Sequence, residues 1–356
     1  MKRTAYILLA LASVACTSTE YVEVDNLDPV LVVNSQMVTS DNTHIVHLST
    51  SSRAKISAVK SGSVTVSINS GAPIVAKNIT PEDEYRPNST KFAFDAKLNP
   101  GDVVEIKAAG ESLSASASAI VPQLPLLQGV DVSWDVPHSS SSGGGIFDMG
   151  YDGYIYYEEQ EGPYKYDAWH LLKINLKDPE QEENFYRLST YVECIISGEG
   201  NTDVTYQYVW PDTSSEPLLS TASSEGSLLE ALTEDSNRYN VFQDAVIQGK
   251  EYGIKLYIME NQLSYYRKYH NGNWLYDEET GEYYEEPLPD GYTYKANLVV
   301  KLYSISKEQY IYIKALGLSD MGLLFSEPVS IPSNVEGGYG FVAVDACAEA
   351  RVSLSE

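Results

Sequence analysis

The chain has 356 residues, 24 basic against 50 acidic, for a formal charge of −26. A charge that negative repels phosphates and anionic lipid surfaces and excludes nucleic acid as a natural partner. Its three cysteines are too few for a disulfide-built scaffold.

In chain order, the first feature is "MKRTAYILLALASVAC", with a basic head at Lys2 and Arg3, an apolar run over residues 5–12, and small residues leading to Cys16. This is the pattern of an export signal. The apolar run is well short of the roughly 20 residues that span a bilayer. A plain secretory cut after Ser13-Val14-Ala15 and a lipoprotein cut at the same bond both fit. The cysteine at the first position after the cut favours the second, with Cys16 as the acylated residue. Acyl chains contribute about 0.8 kcal/mol per buried methylene, so more than one chain on Cys16 gives stable anchoring. Removal of Lys2 and Arg3 with the signal takes the charge from −26 to −28. The expected organisation is a signal over 1–16, a tether over 17–28, an immunoglobulin-like β-sandwich over 29–124 and a larger β-rich domain over 125–356.

Residues 29–124 alternate apolar and polar, as half-buried strands do. "SVTVSIN" puts Val64, Val66 and Ile68 on one face. "KFAFDAKL" does so with Phe92, Phe94, Ala96 and Leu98, and "SLSASASAI" with Leu113, Ala115, Ala117 and Ala119. Turn residues separate them, as in "NSGAP" and "NPGD". His44 and His47, three apart on a strand, fall on opposite faces and do not form a ligand pair.

"VPQLPLLQG" (121–129) and the low-complexity "HSSSSGGG" (138–145) mark a boundary near residue 125. Beyond it, "YGIKLYIM" and "YKANLVVKLYSI" read as sheet strands. "SKEQ" predicts a helix with Ser306 at the N-cap, Gln309 closing a capping box, and Tyr310, Ile313 and Leu316 on one face before Gly317. A second short helix fits residues 228–232. Cys194 and Cys347 lie in strand-like segments; a disulfide and two buried thiols are both open. "DMGYDGYIYYEE" (148–159) partly fits a calcium loop, but Gly150 stands where a ligand belongs and no helix precedes it, so no metal is assigned.

The most unusual composition is residues 265–294, where eight Tyr and one Trp sit among seven acidic residues. It reads as a hairpin, with arms at 274–277 and 282–285 and Gly281 at the φ > 0 position of its loop. Trp274, Tyr276, Tyr283 and Tyr284 are the candidate ligand- or partner-binding residues, because Tyr and Trp give large rigid contact area at interfaces. The plainer reading is cross-strand packing on a sheet surface.

No G-x-S-x-G elbow, H-E-x-x-H pair, C-x-x-C or P-loop is present. No catalytic residue and no cofactor is therefore assigned. "SEPVSIPSNVEGGYGFVAV" (326–344) looks like a ligand-cradling loop, but no basic residue lies in it and a strand follows it. Gly337, Gly338 and Gly340 are better read as positions of positive φ or close backbone approach.

Several segments in order, "PVLVVNSQMVTSD", "SGSVTVSINSG", "INLKDPEQEENFYRLST", "VFQDAVIQGKEYGIKLYI", "LYSISKEQYIYIKAL" and "FSEPVSIPSNVEGGYGFVAV", resemble the Bacteroidota lipoproteins of domain of unknown function 4249. The resemblance implies an outer-membrane, surface-facing lipoprotein found beside TonB-dependent transporters. It supplies no catalytic residues. Two functions follow as expectations: a non-enzymatic accessory of a TonB-dependent uptake system, or a stand-alone surface module that binds glycan or peptide.

Overall fold

The computed structural model describes residues 28–52, 55–81, 88–138, 167–180, 183–219, 237, 239–270, 272–277, 280–281, 283–320 and 331–354. The candidate calcium loop, the 228–232 helix and Cys16 lie outside these residues.

The protein is mainly β. Its first strands are β1 (Val30–Val38), β2 (Thr43–Ser52), β3 (Lys55–Ala58), β4 (Gly62–Ile68), β5 (Ile74–Val75), β6 (Lys77–Asn78) and β7 (Thr90–Asp95). There follow β8 (Val103–Gly110), β9 (Leu113–Ile120), β10 (Leu126–Val136), β11 (Trp169–Lys177), β12 (Phe185–Gly198), β13 (Asn201–Tyr208), β14 (Val241–Gln243) and β15 (Glu251–Met259). The last elements are β16 (Trp274–Tyr276), β17 (Tyr283–Glu285), β18 (Thr293–Ile305), the helix α1 (Lys307–Asp320), β19 (Val335–Glu336), β20 (Gly338–Tyr339) and β21 (Val342–Ser353).

Alternation in the first region buries the residues it should. Val64, Val66, Phe92, Phe94, Leu98, Ala115 and Ala117 are buried in one core, with Ile68, Ala96, Leu113 and Ala119 packed at its margin. Each fully buried Val or Phe contributes about 1.5–3 kcal/mol relative to exposure. The core lies between the five-stranded sheet β19-β9-β8-β4-β5 and the half of a larger sheet that runs β1-β2-β7-β6. His44 is buried and its Nε2–H donates to the Ala96 carbonyl, while His47, on the other face, meets Ser89.

The larger sheet has eleven strands and continues without a break from the first sandwich into a second, in the order β13-β12-β18-β21-β1-β2-β7-β6. The join is parallel: β21 enters beside β1, with Ser35 opposite Val342 and Val38 opposite Asp345. Beyond that point β21 pairs with β18. There the sheet faces the three-stranded sheet β10-β11-β15 across a core that includes Leu172, Ile174, Ile254, Leu256, Leu298 and Leu302.

The chain end thus belongs to both sandwiches. Val335, Val342 and Val344 sit in the first core, and β19 adds to β9. A division at residue 124 omits these three from the core they complete.

The "GGYG" stretch is what permits the join. Gly337 has φ of 73°, and a Cβ there would meet the Ser114 carbonyl at 2.8 Å. Gly340 has φ of 112° and lies against the Val33 carbonyl, so a side chain has no room.

Helix α1 begins as expected, with the Gln309 N–H donating to Ser306 Oγ at 3.1 Å. The second half of the capping box does not form. The Gln309 side chain instead turns its amide N–H to donate to Asp345 Oδ1 at 2.6 Å, because a buried carboxylate is costly without donors. The helix also runs through Gly317 to Asp320; a glycine costs about 1 kcal/mol relative to alanine inside a helix but does not stop it.

Candidate functional site

The predicted hairpin forms. Trp274 faces Glu285, Leu275 faces Tyr284 and Tyr276 faces Tyr283 across the two arms. The Gly281 N–H donates to the Asp277 carbonyl at 2.8 Å, with φ of 74° at Gly281. Strand alternation divides the four candidate residues. Trp274, Tyr276 and Tyr283 share one face, 59%, 55% and 69% exposed, and Tyr284 shares the other with Leu275. The Tyr276 and Tyr283 rings lie 5.0 Å apart.

The root of the hairpin is held by polar contacts. His270 Nδ1 pairs with Glu285 Oε2 at 2.5 Å, the other Glu285 oxygen accepts the Gly272 N–H at 2.8 Å, and Tyr265 stacks on His270 at 4.3 Å. The hairpin leads into the start of β18, where Thr293 is opposite Ser197. This is the pole of the second sandwich farthest from the join. Following β1 from Val30 to Val38 and β21 from Asp345 to Ser353, at about 3.3 Å per residue, the path along the strands from the start of β1 to that pole is roughly 50 Å.

A second exposed aromatic group is on the outer face of β12 and β13. Tyr206, Tyr208 and Trp210 are 46%, 58% and 62% exposed. Tyr191 lies 4.5 Å from Tyr208, which in turn stacks with Trp210 at 5.6 Å. Burial and the hydrogen bond from Tyr191 push the Tyr208 hydroxyl pKa up to about 12, so it stays protonated. The Gln262 side chain fixes Trp210 by accepting its backbone N–H at 2.7 Å and donating to its carbonyl at 2.9 Å. Sequence reasoning missed this group, although "VTYQYVW" carries its signal: Val204, Tyr206 and Tyr208 alternate with the polar Thr205 and Gln207.

Three buried polar clusters resemble chemistry and are closed. His170 Nδ1 accepts the Asp135 N–H at 3.1 Å and its Nε2 lies 2.6 Å from Glu260. Arg267 donates to both Glu260 oxygens, at 2.6 and 2.9 Å. Burial would raise the Glu260 pKa, but the bonds from His170 and Arg267 outweigh it and hold it below the ordinary value. With both His170 nitrogens engaged, no lone pair is left to act as a base. Glu193 is likewise shared among Arg351, Asn297 and Tyr206. Asp178 accepts the Tyr186 hydroxyl at 2.7 Å and the Gly249 N–H at 3.0 Å, and burial pushes its pKa up.

Cys194 and Cys347 are both free thiols. Cys194 is opposite Ala296 and Cys347 opposite Tyr303 on β18, seven positions apart (303 − 296) and so on opposite faces. That separation is about 23 Å along the strand, which no disulfide spans.

Among the described residues no helix is long and apolar enough to cross a membrane. These features define a mainly β protein of two joined sandwiches that exposes aromatic side chains at one pole and one sheet edge. The chain belongs to the family of the domain of unknown function DUF4249, whose model matches residues 18–351. No curated protein matches it. Among solved structures, the native alfa-L-rhamnosidase from Aspergillus terreus is similar at 10% identity and a TM-score of 0.27, over 78% of this chain and 28% of that one. The likeness is too slight to bear on fold or activity.

Proposed function

We propose that this protein is a non-enzymatic, lipid-anchored component of an outer membrane, facing the cell surface and serving as an accessory or binding subunit of a TonB-dependent uptake system. The observation that carries the reading is the aromatic hairpin at the pole remote from β1. With Cys16 acylated, residues 17–28 tether the first sandwich and leave the hairpin pointing outward. There Trp274, Tyr276 and Tyr283 meet the cargo or the outer loops of the transporter, and apolar rings already exposed cost little to desolvate. The closed His170 and Glu193 clusters favour binding over catalysis.

The test is co-purification from membranes in mild detergent. A β-barrel transporter should accompany the wild-type chain and be lost on joint replacement of Trp274 and Tyr276 by Ala; recovery of no barrel overturns the accessory role. Replacing Cys16 by Ala should move the protein to the soluble fraction. The Tyr276–Tyr283 pair beside Trp274 also suits a stand-alone glycan or peptide binder. That reading takes over if an immobilised glycan or peptide retains the protein while no barrel does.

A further inference from the structure

We propose that the free edge of β13 is a strand-addition site, which takes an extended, cationic segment of another protein as a further strand of the eleven-stranded sheet. Among the described residues β13 ends that sheet and pairs only with β12, in unbroken register from Tyr191–Tyr208 to Gly198–Asn201. All eight of its residues are exposed.

Sheet edges are ordinarily blunted by lysine, proline, a bulge or short length, because their unpaired N–H and C=O groups invite another strand. β13 has none of these devices. Its sequence, "NTDVTYQY", is rich in β-forming residues, its register has no bulge, and Asp203 is its one charge. One end of the edge is fixed. At the Tyr208 end the chain is pinned where the Val209 N–H donates to the Thr190 carbonyl at 3.0 Å and Thr190 Oγ1 donates to the Val209 carbonyl at 2.8 Å. Trp210 is pinned next, through Gln262. A rigid edge loses little entropy when a strand docks, and Tyr206, Tyr208 and Trp210 then supply contact area for alternate side chains.

Charge selects the occupant. A second copy would bring two chains of −26 together, and like-charge repulsion of that size opposes edge-to-edge pairing. Asp203 on the strand itself adds a local carboxylate on the face opposite Tyr206, whose ring lies 5.3 Å from Lys301 Nζ. A segment carrying Lys or Arg gains attraction from both. These residues are separate from the hairpin, so failure here leaves the hairpin reading standing, and the reverse.

The test uses the full chain in detergent with a random dodecapeptide library displayed on phage, followed by synthesis of the enriched peptide. The expected result is enrichment of alternating β-forming residues with Lys or Arg. Amides of residues 201–208 should then exchange with solvent at least tenfold more slowly in the complex. Methylating alternate amide nitrogens of the peptide should weaken binding at least tenfold, and Trp210→Ala by about tenfold. The methylated peptide decides the matter even if the variant misfolds. The proposal is overturned by any of four results: no enrichment, protection confined to residues outside β13, indifference to methylation, or concentration-dependent protection of β13 in the protein alone, which means self-pairing. A soluble β-glucan that protects Tyr206 to Trp210 while no peptide does also overturns it.

Discussion

Arg187 and Asp345, 158 positions apart, meet with Arg187 Nη2 donating to Asp345 Oδ2 at 2.6 Å. The same carboxylate, fully buried, accepts from Gln36 of β1 at 2.8 Å and from Gln309 of α1 at 2.6 Å. One side chain therefore ties the first sandwich, the second sandwich and the helix. Burial would lower the Arg187 pKa, but the charge and hydrogen bond of Asp345, together with Tyr303 and Tyr191, outweigh it and raise it. The guanidinium also lies 4.1 Å over the Tyr303 ring.

Asp345→Ala should destabilise the protein by about 3–5 kcal/mol, because it leaves the buried Arg187 charge unpaired. Urea denaturation at neutral pH measures this. A loss below about 1 kcal/mol would show that the junction does not depend on the carboxylate.

Glu260 predicts a pH dependence. Its folded pKa is depressed below the ordinary 4.5, so its contribution is complete above the unfolded value and lost as pH falls through the folded one. Stability should therefore drop below about pH 4.5. In Glu260→Gln that part of the acid slope should be missing, with stability already lower by about 3–5 kcal/mol at neutral pH for breaking a buried pair. Denaturation midpoints measured from pH 3 to 7 on both proteins compare the slopes.

Gly340→Ala places a methyl group against the Val33 carbonyl at a residue with φ of 112°. The expected loss is at least about 1–3 kcal/mol of backbone strain, read as a fall in thermal midpoint. Ser70, which already tolerates a positive φ, is a control site for the same method, and Ser70→Ala should change little.

Gly281→Val should melt the hairpin locally, because a β-branched residue at φ of 74° costs about 1–2 kcal/mol. Hydrogen exchange should rise over residues 274–285, while the global unfolding midpoint stays within about 0.5 kcal/mol of wild type, as for surface changes in general.

Neither thiol of the pair should be reactive in the folded state. Burial pushes Cys347 up to about 11 and also raises Cys194, so the thiolate that reacts is scarce near neutral pH. Alkylation of Cys194 and Cys347 at pH 8 should be slow in buffer and fast in urea. Gel mobility should not change with reductant.

Local pattern made much of this legible. The strands that end in "SVTVSIN", "KFAFDAKL" and "SLSASASAI" alternate because one face meets a core and the other meets water, and that is written residue by residue. The hairpin was legible for the same reason, with Gly281 marking its turn. The second aromatic group was overlooked because its exposure follows from the pairing of β12 with β13 and Gln262 reaches Trp210 from 52 residues away, and only "VTYQYVW" hints at it.

What the sequence determined by itself is the mainly β character, the strands over residues 63–69, 91–98, 112–120, 252–259 and 294–305, the start of the helix at Ser306 and the arms of the hairpin. All of these rest on interactions within a few residues. Only the tertiary structure decided that β21 crosses from one sandwich to the other, that Gln309 turns to Asp345 instead of its own helix cap, and that Cys194 and Cys347 face apart. Those outcomes depend on which distant strands become neighbours and in what register, and a shift of one position would reverse every face.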